Sequence, residues 1–131
     1  MIYKETQLFV SDNSGIKSVK CIRILNLKSQ SIGTVGNVAL VRIYRKNKYS
    51  SLKKKLLYYG LIIMVKQLKF RKDGIIIKFK ENRVLLFSNV YKFLGSKILG
   101  ILTKEIWLNT SQNKKEKQKY YKILSFCNNI V

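Results

Sequence analysis

The stretch Leu56-Leu57-Tyr58-Tyr59-Gly60-Leu61-Ile62-Ile63-Met64-Val65 is the longest apolar run in the chain, ten residues fenced by Lys55 and Lys66. A membrane-spanning helix needs about 20 apolar residues. This run falls well short, and its length and content predict a buried strand. Shorter runs lie before it at Leu8 to Val10, Val19 to Leu25 and Val38 to Tyr44, and after it at Ile75 to Phe79 and Val84 to Phe87. Polar turns separate them, a cadence that predicts a mainly β domain. Within Val38 to Arg45 the odd and even positions differ, with Arg42 among apolar neighbours, so one side faces a core and the other a partner.

The connections carry matching chemistry. Ser11-Asp12-Asn13-Ser14-Gly15 gathers residues that cap their own backbone or tolerate positive φ, and Lys72-Asp73-Gly74 is a hairpin signal. Gly33-Thr34-Val35-Gly36 has the spacing of an RNA-clamping loop, but no helix pair flanks it, so it reads as two tight backbone positions. After Gly100 the pattern changes: Leu102 to Trp107 suits a short helix with Thr103 as its cap, and Lys115 to Leu124 suits a second. Between them Asn109 to Lys114 is polar and unpatterned, a loop or insertion.

The chain has 131 residues with Lys+Arg 27 against Asp+Glu 6 and no histidine, a formal charge of +21. One domain is expected at this length, about 1–100 strands and about 101–131 terminal helices with a polar insertion near 109–119. At 47% apolar residues the chain should fold, yet its like charges repel one another, which asks for a polyanionic partner. General bases and hard-metal ligands are scarce: the acids are Glu5, Asp12, Asp73, Glu81, Glu105 and Glu116. The reading is therefore no enzyme, no cofactor and no metal. Cys21 and Cys127 lack zinc or disulfide-framework spacing and read as reduced thiols. There is no proline and one alanine, Ala39, with an excess of residues encoded by A/T-rich codons. The start, Met1-Ile2-Tyr3-Lys4-Glu5-Thr6, carries no import signal. Together these suggest an organelle-encoded protein, in the mitochondrial matrix, with a plastid or bacterial cytoplasm as alternatives.

The basic residues cluster at strand ends, turns and exposed faces: Lys17, Lys20 and Arg23; Arg42, Arg45, Lys46 and Lys48; Lys53, Lys54 and Lys55; Lys66, Lys69, Arg71 and Lys72; Lys78, Lys80 and Arg83; and Lys114 to Lys122. Solvated surfaces usually mix signs and this one barely does, so phosphate binding is the reading, chiefly at Lys17 to Lys78. Tyr44 to Tyr49, Lys69-Phe70-Arg71 and Lys119 to Lys122 interleave aromatic rings with charge; core packing is the default for each ring and base stacking the alternative. Nothing predicts reading of a particular base sequence, so recognition is of RNA shape and backbone. A basic peripheral membrane module, a free RNA chaperone and an RNA-modifying enzyme are the other readings. No long amphipathic helix, cofactor loop or acid cluster supports them.

Several linked stretches carry a resemblance. They are Met1-Ile2 through Thr6, Val10-Ser11-Asp12-Asn13-Ser14-Gly15 and Cys21-Ile22-Arg23; then Gly60-Leu61-Ile62-Ile63, Asp73-Gly74, Phe79, Asn82 and Leu85-Leu86 with their spacing kept; then Gly95 to Gly100, Thr103 to Ile106 and Tyr121 to Ser125. In these the chain resembles the large-subunit ribosomal protein family fourteen over nearly its whole length, apart from the polar segment around Asn109 to Lys119. It departs at Leu85, where the family favours valine, at Lys72, where proline is common, and at Lys55-Leu56, where Gly-Asp usually follows paired lysines. The resemblance implies a small five-stranded β-barrel with an extended hairpin and short C-terminal α-helices, docked on large-subunit rRNA. It also implies neighbouring proteins of the third and nineteenth large-subunit families, bridges to small-subunit rRNA, and a face that can receive a ribosome-silencing factor. By position, Ser96, Lys97 and Lys122 would lie on that intersubunit face, and Lys53 to Lys55 and Lys66 to Asp73 on basic surfaces open to RNA. No membrane insertion is expected.

Overall fold

The computed structural model describes residues 1–25, 32–89, 92–108, 122–127 and 129–131. Five strands form a closed barrel: β1 (Gln7–Val10), β2 (Ile16–Ile24), β3 (Val38–Lys46), β4 (Leu57–Met64) and β7 (Arg83–Asn89). They pair antiparallel in that order, and β1 closes the ring by pairing parallel with β7 through Phe9↔Arg83 and Val10↔Val84. Between β4 and β7 a hairpin, β5 (Lys69–Phe70) with β6 (Ile76–Ile77), turns at Asp73-Gly74. The amide of Ile75 bonds Asp73 Oδ1 in that turn, 3.3 Å, and the lysine at 72 does not prevent it. Then come β8 (Lys92–Phe93) beside β7, β9 (Ile101–Leu102), α1 (Glu105–Leu108) and β10 (Asn129–Ile130), which pairs with β9. No helix among the described residues is long and apolar enough to cross a membrane.

Register explains the core. Leu8↔Val19↔Ile43, Cys21↔Val41↔Tyr58 and Ala39↔Gly60↔Leu86 are cross-strand rows of buried residues, and these fill the barrel. A five-stranded barrel is narrow. The chain's single alanine sits there opposite Gly60, where an added Cβ would meet Val41 Cγ1 at 3.3 Å. The outward face of β4 and β7 is buried as well: Leu61, Ile63, Leu85 and Phe87 are 0–1% exposed. The chain beyond β7 covers it. Phe87 meets Phe93 with centroids 5.5 Å apart, Phe93 stacks on Phe126 at 5.9 Å, and Ile98, Leu102, Ile106 and Ile123 are buried in the same cluster. This second layer is why the sequence of β4 runs apolar without alternation.

Three local expectations change. Ile75 to Phe79 pairs only at Ile76 and Ile77, because its ladder partner is the two-residue β5; Ile75 and Ile76 remain exposed, and Phe79 packs against the core. The helix expected over Leu102 to Trp107 is shorter and begins later, α1 having four residues, and in the described part of the second a helical turn occupies 122–125. Thr103 does not cap α1 through its side chain, for its Oγ1 is buried without a hydrogen-bond partner and its carbonyl accepts from Ile106 instead. The predicted loop 109–119 and most of the helix from Lys115 lie outside the described residues. Gly33 to Gly36 is a turn closed by Asn37 Oδ1, which accepts from the amide and the hydroxyl of Thr34, both at 2.9 Å.

Candidate nucleic-acid interface

With Val19, Cys21, Val41 and Ile43 turned inward, their neighbours on β2 and β3 must face out. Lys20 pairs across the strands with Arg42. Irregular register around Ser18 leaves Tyr44 and Arg45 both exposed, where a regular strand would alternate. Lys20 Nζ sits 4.7 Å from the Tyr44 ring centroid and the Arg45 guanidinium 5.4 Å. The electron-rich Tyr44 ring engages both cations on the barrel wall. Arg23 extends the wall toward one end and Lys17 toward the other, both exposed.

At the Lys17 end, the segment joining β3 to β4 is fastened to the barrel. Lys46 Nζ donates to the carbonyls of Ser50 (3.2 Å) and Leu52 (2.9 Å). The Asn47 amide donates to the Gly15 carbonyl (2.8 Å) and Ser50 Oγ to the Ser14 carbonyl (3.2 Å). Gly15 has φ +82°, and a Cβ there would lie 3.0 Å from that of Ser50, so only glycine lets the two segments meet. Lys48, Lys53, Lys54 and Lys55 stand exposed on this segment. Lys46 belongs to the predicted RNA-binding set, but its ammonium holds the segment in place.

At the opposite end, Lys66, Lys69, Lys72 and Lys78 are exposed around the hairpin. Arg71 differs. Its guanidinium donates to both oxygens of Glu105 (2.5 and 3.0 Å) and to the Val131 carbonyl (2.8 Å), tying the hairpin to α1 and β10. That Arg71 hydrogen bond holds the Glu105 carboxyl at about 2, well below the ordinary glutamate value of 4.5. The hairpin also shows apolar side chains to solvent, with Phe70 72% and Ile76 57% exposed.

Ser96 and Lys97 lie on a loop fixed by Asn13, whose Oδ1 accepts from both amides (2.8 and 3.2 Å) while its Nδ2 donates to Ser96 Oγ (2.8 Å). Gly95 permits the approach: a Cβ there would fall 2.9 Å from both Asn13 Oδ1 and Asp12 Cβ. Lys122 is exposed on the helical turn that the Phe126 carbonyl joins to Ile98, 3.4 Å. Beneath them Asp12 is buried; its carboxylate accepts from the amide and hydroxyl of Ser14 and from the Leu86 amide. Burial raises its pKa, against those hydrogen bonds. The turn and helix patterns include Asp12, Asn13 and Glu105 but do not show their distant partners Leu86, Ser96 and Arg71. The available signal was that the three are acids, or next to one, in a chain with so few.

Those acids decide the field. None occurs between Asp12 and Asp73. Among the described residues Asp12 and Glu105 are buried, Glu81 pairs with Arg83 at 2.8 Å, and Glu5, whose amide donates to the Cys21 carbonyl, is the exposed acid beside β2, so carboxylates are far outnumbered on the wall of β2 and β3 and on the segment after it. Such a surface attracts polyanions.

A family model for ribosomal protein L14p/L23e matches residues 1–131. A curated relative, large ribosomal subunit protein uL14 of Carsonella ruddii (strain PV), is 34% identical over 131 residues, covering 100% of this chain and 100% of its own.

Proposed function

This chain belongs to the ribosomal protein L14p/L23e family, and from that premise we propose that it is a structural constituent of the large ribosomal subunit that binds large-subunit rRNA through its cationic wall and contributes to bridges with small-subunit rRNA. The observation that carries this reading is the excess positive charge on a closed barrel: Lys20, Arg42 and Arg45 around Tyr44, continued by Lys17, Lys48 and Lys53 to Lys55. Each lysine or arginine that neutralises a phosphate releases counterions, so for about 6–10 contacts affinity falls by about 10³–10⁵ between 50 and 200 mM salt. The role is one of scaffolding rather than catalysis: the barrel fixes where the charges point.

The apolar hairpin at Phe70 and Ile76 suits a protein neighbour, and we assign it to the ribosomal proteins of the third and nineteenth families. Ser96, Lys97 and Lys122 form the proposed intersubunit face, which a ribosome-silencing factor would cover. Composition supports a mitochondrial ribosome; the relative at 34% identity is bacterial, and locating the gene in an organelle genome tests the compartment. The functional test is charge reversal, K97E with K122E. Incorporation into large subunits should persist while joining to small subunits weakens. Normal joining would overturn the assigned face.

A further inference from the structure

Tyr49 is 99% exposed, the barest large hydrophobic side chain among the described residues. Its setting is not that of a loose loop. The Ser50 amide donates to the Asn47 carbonyl (3.2 Å), closing a β-turn whose two central residues are Lys48 and Tyr49. Asn47 is bonded to Gly15 on one flank of that turn, and Ser50 to Ser14 and Lys46 on the other. The tip therefore offers one cation and one aromatic ring on a backbone anchored at both ends. Tyr44, the aromatic nearest in sequence, has its ring engaged by Lys20 and Arg45, whereas Tyr49 meets no cation or ring within the described residues. Lys53, Lys54 and Lys55 follow on the same segment.

We infer that the Lys48-Tyr49 tip is a stacking site for one unpaired base of large-subunit rRNA, with Lys48 on a flanking phosphate. The inference rests on the rRNA-binding reading above and adds to it a contact that is not electrostatic. Its chemistry follows from the parts. An aromatic ring stacks on any base because every base has a π-face. Within a duplex those faces are already occupied by neighbours, so the partner is a base in a loop or bulge. An anchored tip loses little freedom on binding. The surrounding lysines, in a stretch with no acid between Asp12 and Asp73 and with Asp12 itself buried, select a polyanion over an apolar protein surface.

The experiment measures binding of the full chain to a large-subunit rRNA transcript over a series of salt concentrations, for wild type, Y49A, Y49F and K48A. Stacking predicts that Y49A weakens binding about 5- to 150-fold at every salt concentration with an unchanged salt slope. Y49F should bind within about twofold of wild type, since the ring is kept. K48A should lower the slope by about 0.7–0.9, one phosphate's worth. Wild-type affinity in Y49A, a loss in Y49F equal to that in Y49A, or a changed slope in Y49A each overturns the stacking site while leaving rRNA binding standing. Failure of the wild type itself to bind overturns the rRNA-binding reading and this site with it.

Discussion

Asp12 and Glu105 are buried carboxyls that titrate in opposite senses. Glu105 is held at about 2 by Arg71, below its ordinary 4.5. It therefore supplies stability above about pH 4.5 that is lost as the pH falls toward about 2. E105Q should lower the urea midpoint at neutral pH, and its gap to wild type should close over that acid window; a gap independent of pH would contradict the assigned pair. Asp12 is raised by burial, so its native carboxyl keeps a proton that the unfolded chain has released, and its contribution falls as the pH climbs above the ordinary 3.8. D12A strips the acceptor from the buried Leu86 amide and should destabilise by about 1–3 kcal/mol in urea titrations at neutral pH. The turn chemistry of Ser11 to Gly15 is readable in sequence. That Asp12 reaches a backbone donor 74 positions away is a matter of barrel closure, which local pattern does not encode.

Elements divide by what surrounds them. β4 is legible because both of its faces are buried, by the barrel interior and by the layer that Phe93 and Phe126 complete. Ile75 to Phe79 has similar composition, but Ile75 and Ile76 are exposed on a hairpin while Phe79 packs against the core, and an apolar run does not say whether a core or a partner covers it. The same ambiguity hides the cation pair on Tyr44: Lys20 and Arg45 converge only through the β2–β3 register and its irregularities. The hairpin yields a direct prediction. F70S with I76T removes side chains that the fold leaves exposed, so stability should change by no more than about 0.5 kcal/mol. Co-purification with neighbouring large-subunit proteins should fall in the same variant. G95A acts the other way, since its Cβ would displace Asn13 or Asp12. It should destabilise by about 1–3 kcal/mol and speed amide exchange at Ser96 and Lys97.

At the scale of the molecule, a charge of +21 on 131 residues makes the isolated barrel repel itself, and screening relieves that repulsion. Its melting temperature should rise as salt is added from low ionic strength, whereas its affinity for rRNA falls. That opposition is what the proposed rRNA-binding role predicts, with Asp12 and Glu105 serving internal joints. The most direct measurement is sedimentation of a lysate from cells that make this chain, first at low and then at high salt, following it against the two ribosomal subunits. The chain should remain with the large subunit under both conditions, held by the wall, the anchored tip and the hairpin together. A chain that ran free of ribosomes, or that left with membranes after nuclease digestion, would contradict the account.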